Sequence, residues 1–250
     1  MTGQREWTPS GLEGRHALVT GAGRGIGRAV AGLLAEAGAS LTLTARSGHE
    51  LDAVAAAIRS AGGTADTVAG DITDDAFVEA LFASIDERAG RLDVLVNNAG
   101  MAQFGPVADV PPAQLRRTLE LNTVAPYACM RLAVTRMRAG SDDGHIVNVG
   151  SVESYWTKQG ESGAYPASKF ALRALTLAVA KELKLGGSGI RVSMVNPGGT
   201  DTTLVNPEGE DNPRLLDPQI VAQAILHTVT APPGVHVLDT IVVAQVATYW

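Results

Sequence analysis

Thr20-Gly21-Ala22-Gly23-Arg24-Gly25-Ile26-Gly27 follows directly on the apolar run His16-Ala17-Leu18-Val19-Thr20, and an amphipathic stretch from about Gly25 to Ala37 follows at once. Strand, glycines, helix is the context in which a backbone can pass within contact distance of a pyrophosphate seated on a helix N-terminus. A Cβ in that turn would block the approach. Gly21, Gly23, Gly25 and Gly27 remove the block, and with Ile26 they form the expected phosphate-binding turn. A tight turn serving only helix-to-sheet packing would use the same residues; the position right after the first strand favours a ligand.

Outward from this turn, short β-branched runs alternate with longer Ala- and Leu-rich amphipathic stretches, the pattern of βαβ units around a parallel sheet. The expected strands are His16–Thr20, Ser40–Thr44, Thr64–Val68, Leu92–Asn97, His145–Val149, Ile190–Asn196 and a last one after Gly234. Helices are expected through Leu51, Val54 and Ile58, from Thr73-Asp74-Asp75 through Phe77, Leu81 and Ile85, from Tyr165 to Leu185, and after Asp217-Pro218. A further helix starts at Pro111-Pro112 and runs to Ala139, with a kink near Asn122 and Pro126, whose ring has no N–H to donate. No interior linker interrupts the alternation. One domain over residues 1–250 is therefore expected, with residues 1–13 as an N-terminal extension.

Composition narrows the function. The 250 residues carry Lys+Arg 20 against Asp+Glu 26, a net charge of -6, which argues against nucleic acid or an anionic membrane as partner. Cys129, the single cysteine, forbids an internal disulfide and is expected to be a small buried apolar residue. His16, His49, His145, His227 and His236 lack metal-ligand spacing, so no metal site is expected. Met1 to Gly14 has no apolar signal core and nowhere do eighteen apolar residues run together, so the expected location is cytoplasmic, with no membrane partner.

About 20 residues beyond the first glycine, where a site for NAD would place a carboxylate against the ribose, the chain reads Ala45-Arg46-Ser47. Arg46 and Arg24 are two cations placed to bind a 2′-phosphate, so NADP(H) is expected over NAD, with Ser47 beside them. Asp71 and Ile72, after the third strand, are expected at the adenine end, although an Asp there also serves as a helix-entry residue.

Tyr165-Pro166-Ala167-Ser168-Lys169 sets a phenol and an ammonium on one helix face. A tyrosine titrates near 10; lowering it by about two units takes roughly 3 kcal/mol, within reach of one close, partly desolvated positive charge. Alone the pair carries little. In order along the chain, however, stand Thr20 to Gly27, Asn97-Asn98-Ala99-Gly100, Asn122, Ser151, Tyr165 with Lys169, and Asn196-Pro197-Gly198. With this set the chain resembles the short-chain dehydrogenase/reductase family from about Gly14 to Thr202.

The resemblance implies a single-domain, doubly wound α/β fold of Rossmann type, a seven-stranded parallel sheet with helices on both faces. It implies a catalytic group of Asn122, Ser151, Tyr165 and Lys169. Ser151 would stabilise the developing alkoxide, and Tyr165 would act as general acid or base. Lys169 would lower the Tyr165 pKa and hold the nicotinamide ribose. Asn122 would free a backbone carbonyl for a proton relay. Tyr165 and Lys169 thus also count as cofactor contacts, together with Asn98, Ala99, Gly100, Pro197, Gly198, Thr200 and Thr202.

Residues 200–214, polar and rich in prolines and acids, read as a substrate lid. Two features depart from the family pattern: a loop between Ser151 and Tyr165 that is one residue longer than the usual spacing, and a C-terminus from Val235 to Trp250 without a glycine-rich ending. The leading expectation is an NADP(H)-dependent oxidoreductase acting on a small carbonyl or secondary alcohol, with Met101, Gln103, Phe104, Glu153, Tyr155 and Trp156 as pocket residues. The alternatives are a 3-oxoacyl-[carrier protein] reductase, docked through Arg131, Arg136 and Arg138, and a non-catalytic NADP-binding regulator. By resemblance a homotetramer or homodimer is expected, with a helix stripe of Leu172, Leu175, Val179 and Leu183 as its apolar surface, although burial against the sheet explains the same stripe equally well.

Overall fold

The computed structural model describes residues 11–157, 163–232 and 234–246. Seven strands, β1 (His16–Thr20), β2 (Ser40–Ala45), β3 (Thr64–Ala69), β4 (Val94–Asn97), β5 (His145–Val149), β6 (Arg191–Pro197) and β7 (Asp239–Val242), form one parallel sheet in the order β3-β2-β1-β4-β5-β6-β7. The order reverses between β1 and β4, where Val19 pairs with Val96. Chain leaving the C-terminal ends of these two strands departs toward opposite faces, which opens a crevice.

The helices are α1 (Gly25–Glu36), α2 (Gly48–Ser60), α3 (Asp75–Arg88), α4 (Pro112–Leu119), α5 (Ala125–Ala139), α6 (Ala164–Leu185) and α7 (Pro218–Val229). Strand alternation divides the core into two layers. Ala17, Val19, Leu41 and Leu43 meet Val30, Leu34, Leu51, Ile58, Val221 and Ile225 of α1, α2 and α7. Leu18, Leu95, Ile146 and Val192 meet Leu81, Phe82, Cys129, Met130 and Leu183 of α3, α5 and α6. Helix entries follow the expected chemistry: the Asp74 carboxylate accepts from Ala76 N at 2.9 Å, and that of Asp217 from Gln219 N at 2.8 Å. Cys129 is buried, and burial pushes its thiol up to about 12, which leaves it unreactive.

Several expectations need correction. β4 begins at Val94, because Asp93 is recruited elsewhere: its buried carboxylate accepts from His16 N at 2.8 Å and from the guanidinium groups of Arg15 and Arg91. The long helix before β5 is interrupted by a π-helical turn, Glu120–Val124, and Pro126 sits harmlessly in the first turn of α5, where no N–H is needed. The stripe on α6 is consumed by the sheet: Leu172 and Leu183 are buried, and Leu175 and Val179 pack against the same core. Leu175 and Val179 stay partly exposed. Arg131 and Arg136 pair with Glu79 and Asp86 of α3, at 2.8 and 2.9 Å. Among the described residues no helix is long and apolar enough to cross a membrane.

Candidate active site

The crevice at the β1/β4 divide is a cleft of about 920 Å³, at the upper end of the range for cofactor sites, ~300–1,000 Å³. Its rim is held by Thr20 and Asn98. The Thr20 hydroxyl oxygen accepts from the backbone N–H groups of Asn98 and Ala99, both at 3.0 Å, and the Asn98 amide donates to the carbonyls of Thr20 and Gly21. The two strand ends are thus fixed at a set separation.

The glycine turn fits this rim closely. Gly21 and Gly25 have φ of +65 and +54, a left-handed conformation that side chains resist. A Cβ on Gly27 would lie 2.2 Å from the Gly21 carbonyl oxygen and 2.5 Å from the Asn98 amide nitrogen, so α1 can reach the sheet only with glycine there. Gly27→Ala is expected to force α1 outward, with a stability loss of about 1–3 kcal/mol and weakened dinucleotide binding, both measurable by thermal unfolding with and without cofactor. Gly21, Gly23, Gly25 and Ile26 line the cleft, whereas Gly27 serves the packing behind it.

Arg24, at the N-cap of α1, and Arg46 with Ser47, past β2, line the same end. Ser47 also meets the His49 ring at 2.9 Å. Among the described residues neither Arg24 nor Arg46 is held in an ion pair, unlike Arg15, Arg91, Arg131, Arg136 and Arg173. Asp71 serves as a helix-entry residue and also lines the cleft. Its carboxylate accepts from Thr73 N and Oγ1 at 3.0 and 2.8 Å, entering α3, and these bonds, then Arg46 and Arg117, hold it below the usual carboxylate range. Ile72 lines the cleft beside it.

At the other end Ser151, Tyr165 and Lys169 share one wall. Gly150 makes the approach possible, since a Cβ there would lie 2.2 Å from Asn196 Oδ1. A 3-10 turn, Val152–Ser154, then fixes Ser151, whose hydroxyl accepts from Glu153 N at 3.1 Å and whose own N–H donates to Ser154 Oγ at 3.3 Å. Tyr165 lies in the first turn of α6, hydrogen-bonded to the Ser151 hydroxyl and packed edge-on by Phe104 at 5.6 Å. The Lys169 ammonium, one turn on, is 5.7 Å from the Tyr165 ring centre and donates to the Val149 carbonyl at 2.8 Å.

Asn122 is fully buried behind this wall. Its amide donates to Met101 O at 2.8 Å and to Ser168 Oγ at 3.0 Å, and its oxygen accepts from Met101 N at 2.9 Å. The side chain therefore ties the loop after Gly100 to α6. Pro126, four residues on, has no N–H for the Asn122 carbonyl, as the sequence suggests.

Among the chain's own groups, burial governs the titration of the pair. Burial pushes Tyr165 up to about 12, the Glu153 charge adds to this, and the Ser151 hydrogen bond opposes it. Burial takes Lys169 down to about 8. Desolvation is the largest cause of both shifts, and the ammonium donates a hydrogen bond to the Val149 carbonyl.

The model for the short chain dehydrogenase family matches residues 15–213. The chain belongs to the short-chain dehydrogenase family. It is 34% identical over 229 residues to a farnesol dehydrogenase of Aedes aegypti, covering 90% of this chain and 93% of that protein. It is 32% identical to dehydrogenase/reductase SDR family member 11 of Gallus gallus, covering 90% and 94%. A metagenomic short-chain oxidoreductase solved in complex with NADP superposes with a TM-score of 0.80 at 33% identity, covering 92% of this chain and 97% of that one.

Within this short-chain dehydrogenase the remaining site residues sort as follows. Asn98, Ala99, Gly100, Pro197, Gly198, Thr200 and Thr202 line the cleft. Thr202 leans over the glycine turn, its methyl 3.1 Å from where a Gly25 Cβ would stand. Met101, Phe104 and Glu153 line the cleft, but Gln103, Tyr155 and Trp156 do not. Tyr155 is turned away: the Arg173 guanidinium lies 4.1 Å from its ring centre and donates to Asp239 of β7 at 3.0 Å. Part of this loop, 158–162, lies outside the described residues, as do residues 1–10 of the N-terminal extension and 247–250 of the C-terminal stretch.

Glu50, Arg117 and Glu120 also line the cleft, and sequence reasoning missed them; Leu204 and Val205, which line it too, fall within the expected lid, 200–214. Arg117 lies on a short polar helix whose pattern gives no hint that it crosses the crevice.

Proposed function

We propose that this short-chain dehydrogenase interconverts a carbonyl and a secondary alcohol on a small organic molecule with NADP(H), Tyr165 acting as general acid and base. The observation that carries the reading is the convergence of Ser151, Tyr165 and Lys169 on the wall of a cleft whose far end holds two arginines outside any ion pair with a described residue. The glycine cradle and those arginines fit a phosphorylated dinucleotide.

The cofactor, when bound, supplies the hydride. Ser151 donates a hydrogen bond to the substrate oxygen, and Tyr165 delivers or removes the proton. Lys169 holds the ribose. Asn122 keeps α6 and the Gly100–Met101 loop in register behind them. Met101, Phe104, Leu204 and Val205 give the substrate an apolar bed. Residues 200–214 act as its lid, hinged where Thr200 pairs with Leu216 and stiffened by Asn206, which donates to Asp201 at 2.7 Å. NADP bound to the similar metagenomic oxidoreductase supports the cofactor assignment. For the carrier-protein alternative, two arginines of the docking patch, Arg131 and Arg136, are paired with Glu79 and Asp86, and a regulator would have no use for the assembled wall.

The test is a panel of ketones and alcohols followed by NADPH absorbance, with kcat/KM compared between NADPH and NADH. Preference for NADPH is expected, and Arg46→Ala should reduce it by about 10- to 100-fold through the loss of one charge-assisted phosphate contact. Equal use of both cofactors by the unaltered enzyme would refute the assignment.

A further inference from the structure

We propose that Glu153 is a positioning residue for proton transfer: its carboxylate, buried two residues past Ser151 on the cleft wall shared with Tyr165, sets the pH at which Tyr165 passes from proton donor to proton acceptor. The inference rests on the reading of Tyr165 as the proton carrier.

Three observations converge on it. First, Glu153 is 3% exposed and lines the reactive end of the cleft, where a carboxylate is costly to desolvate and its field is poorly screened. Second, its location is fixed by the site itself. The 3-10 turn closed by Ser151 and Ser154 holds the Glu153 backbone against the serine hydroxyl, its N–H donating to Ser151 Oγ at 3.1 Å. Third, the same hydroxyl is hydrogen-bonded to the Tyr165 oxygen, so the Glu153 backbone, the serine hydroxyl and the phenol are consecutive members of one local array, with the carboxylate carried on the same cleft wall.

A negative charge in that place disfavours the phenolate, and the direction of its effect on Tyr165 is upward. The opposing charge comes from Lys169, one turn along α6 and 5.7 Å from the ring centre. Other charged side chains lining the cleft are Arg117 and Glu120 from α4 and the π-helical turn, Asp71 past β3, and Arg24, Arg46 and Glu50 around the glycine turn. Tyr165 thus shares the cleft wall with a lysine on its own helix and a glutamate from the loop after β5. The lysine side favours proton release; the glutamate side retains the proton. Both directions of the reaction share this one ionisation, so Glu153 shifts the pH range of catalysis without changing the equilibrium of the reaction.

The test compares pH profiles of kcat/KM for the unaltered enzyme, Glu153→Gln and Glu153→Asp, in both directions. With Gln, the alkaline fall in carbonyl reduction and the acid-side rise in alcohol oxidation should both move down by about one pH unit, a roughly tenfold loss of reduction at a fixed pH on the falling limb. The Asp variant should keep its limbs near those of the unaltered enzyme. A purely structural glutamate would change rates without moving the limbs, and unmoved limbs in a folded Gln variant would overturn the inference.

A turnover-independent readout is tyrosinate absorbance. The Tyr165 contribution is obtained by difference against Tyr165→Phe, at saturating oxidised cofactor, once with Glu153 in place and once in the Glu153→Gln background. A lower midpoint in the latter supports the proposal, and an identical one refutes it even if no substrate in the panel is turned over. Inactivity of the unaltered enzyme toward the whole panel would instead count against the reading of Tyr165.

Discussion

Tyr165→Phe is expected to reduce kcat by about 10²- to 10⁴-fold in both directions while dinucleotide affinity stays within a few-fold, because in the proposed function the phenol supplies general acid–base catalysis and little of the binding surface. Phenylalanine keeps the ring and its edge-on contact with Phe104 at 5.6 Å and removes only the oxygen bonded to Ser151. The fold should lose about 1 kcal/mol, the contribution of the hydrogen bond between the phenol and Ser151, whose hydroxyl keeps its bond from Glu153 N. Steady-state rates beside a fluorescence titration of cofactor separate the two effects. A variant that retained a tenth or more of the activity would show that the proton travels by another route.

Lys169→Met carries the second large effect, of opposite sign for stability and activity. Burial lowers the ammonium from its ordinary 10.5 to about 8, so the folded chain holds this proton less tightly than the unfolded one. Below pH 8 both states are protonated and the fold bears the full cost of a buried charge, about 3 kcal/mol from the shift. Between about 8 and 10.5 the unfolded state binds more protons, so stability rises with pH, and above that range the cost is gone. Against this stands the hydrogen bond to the Val149 carbonyl at 2.8 Å, a contribution of about 1 kcal/mol that methionine forfeits. The net expectation is a gain of about 1–2 kcal/mol at pH 7, shrinking or reversing at pH 10, with activity down by about 10²-fold or more. Urea unfolding at the two pH values measures it. A variant less stable than the parent at pH 7 would contradict this balance. Residues retained at a cost to the fold are the mark of a site shaped for chemistry.

Much of this molecule is legible along the chain. His16–Thr20, the glycines from Gly21 to Gly27, and the alternation of β-branched and amphipathic stretches are local patterns, and local sterics turn them into strand, turn and helix without reference to distant residues. The caps at Asp74 and Asp217 are likewise contacts across two residues. The spacing of Tyr165 and Lys169 holds for any helix of that register. With the order of the other motifs, these features place the chain in its family and imply the seven-stranded sheet.

What the folded chain alone decides depends on partners far apart in sequence and on the solvent they exclude. Asn122 has its amide committed to Met101 and Ser168, 21 and 46 residues away, and Arg117 reaches the cleft from a helix whose own pattern is silent. Tyr155 is drawn off the substrate wall by Arg173, itself held by Asp239 of the last strand. The α6 leucines face the sheet because that is where apolar area can be removed from water. Most of all, spacing puts a lysine beside a tyrosine but says nothing of the dielectric around them. Burial and the nearby Glu153 drive the phenol up to about 12, an outcome of desolvation that only packing creates.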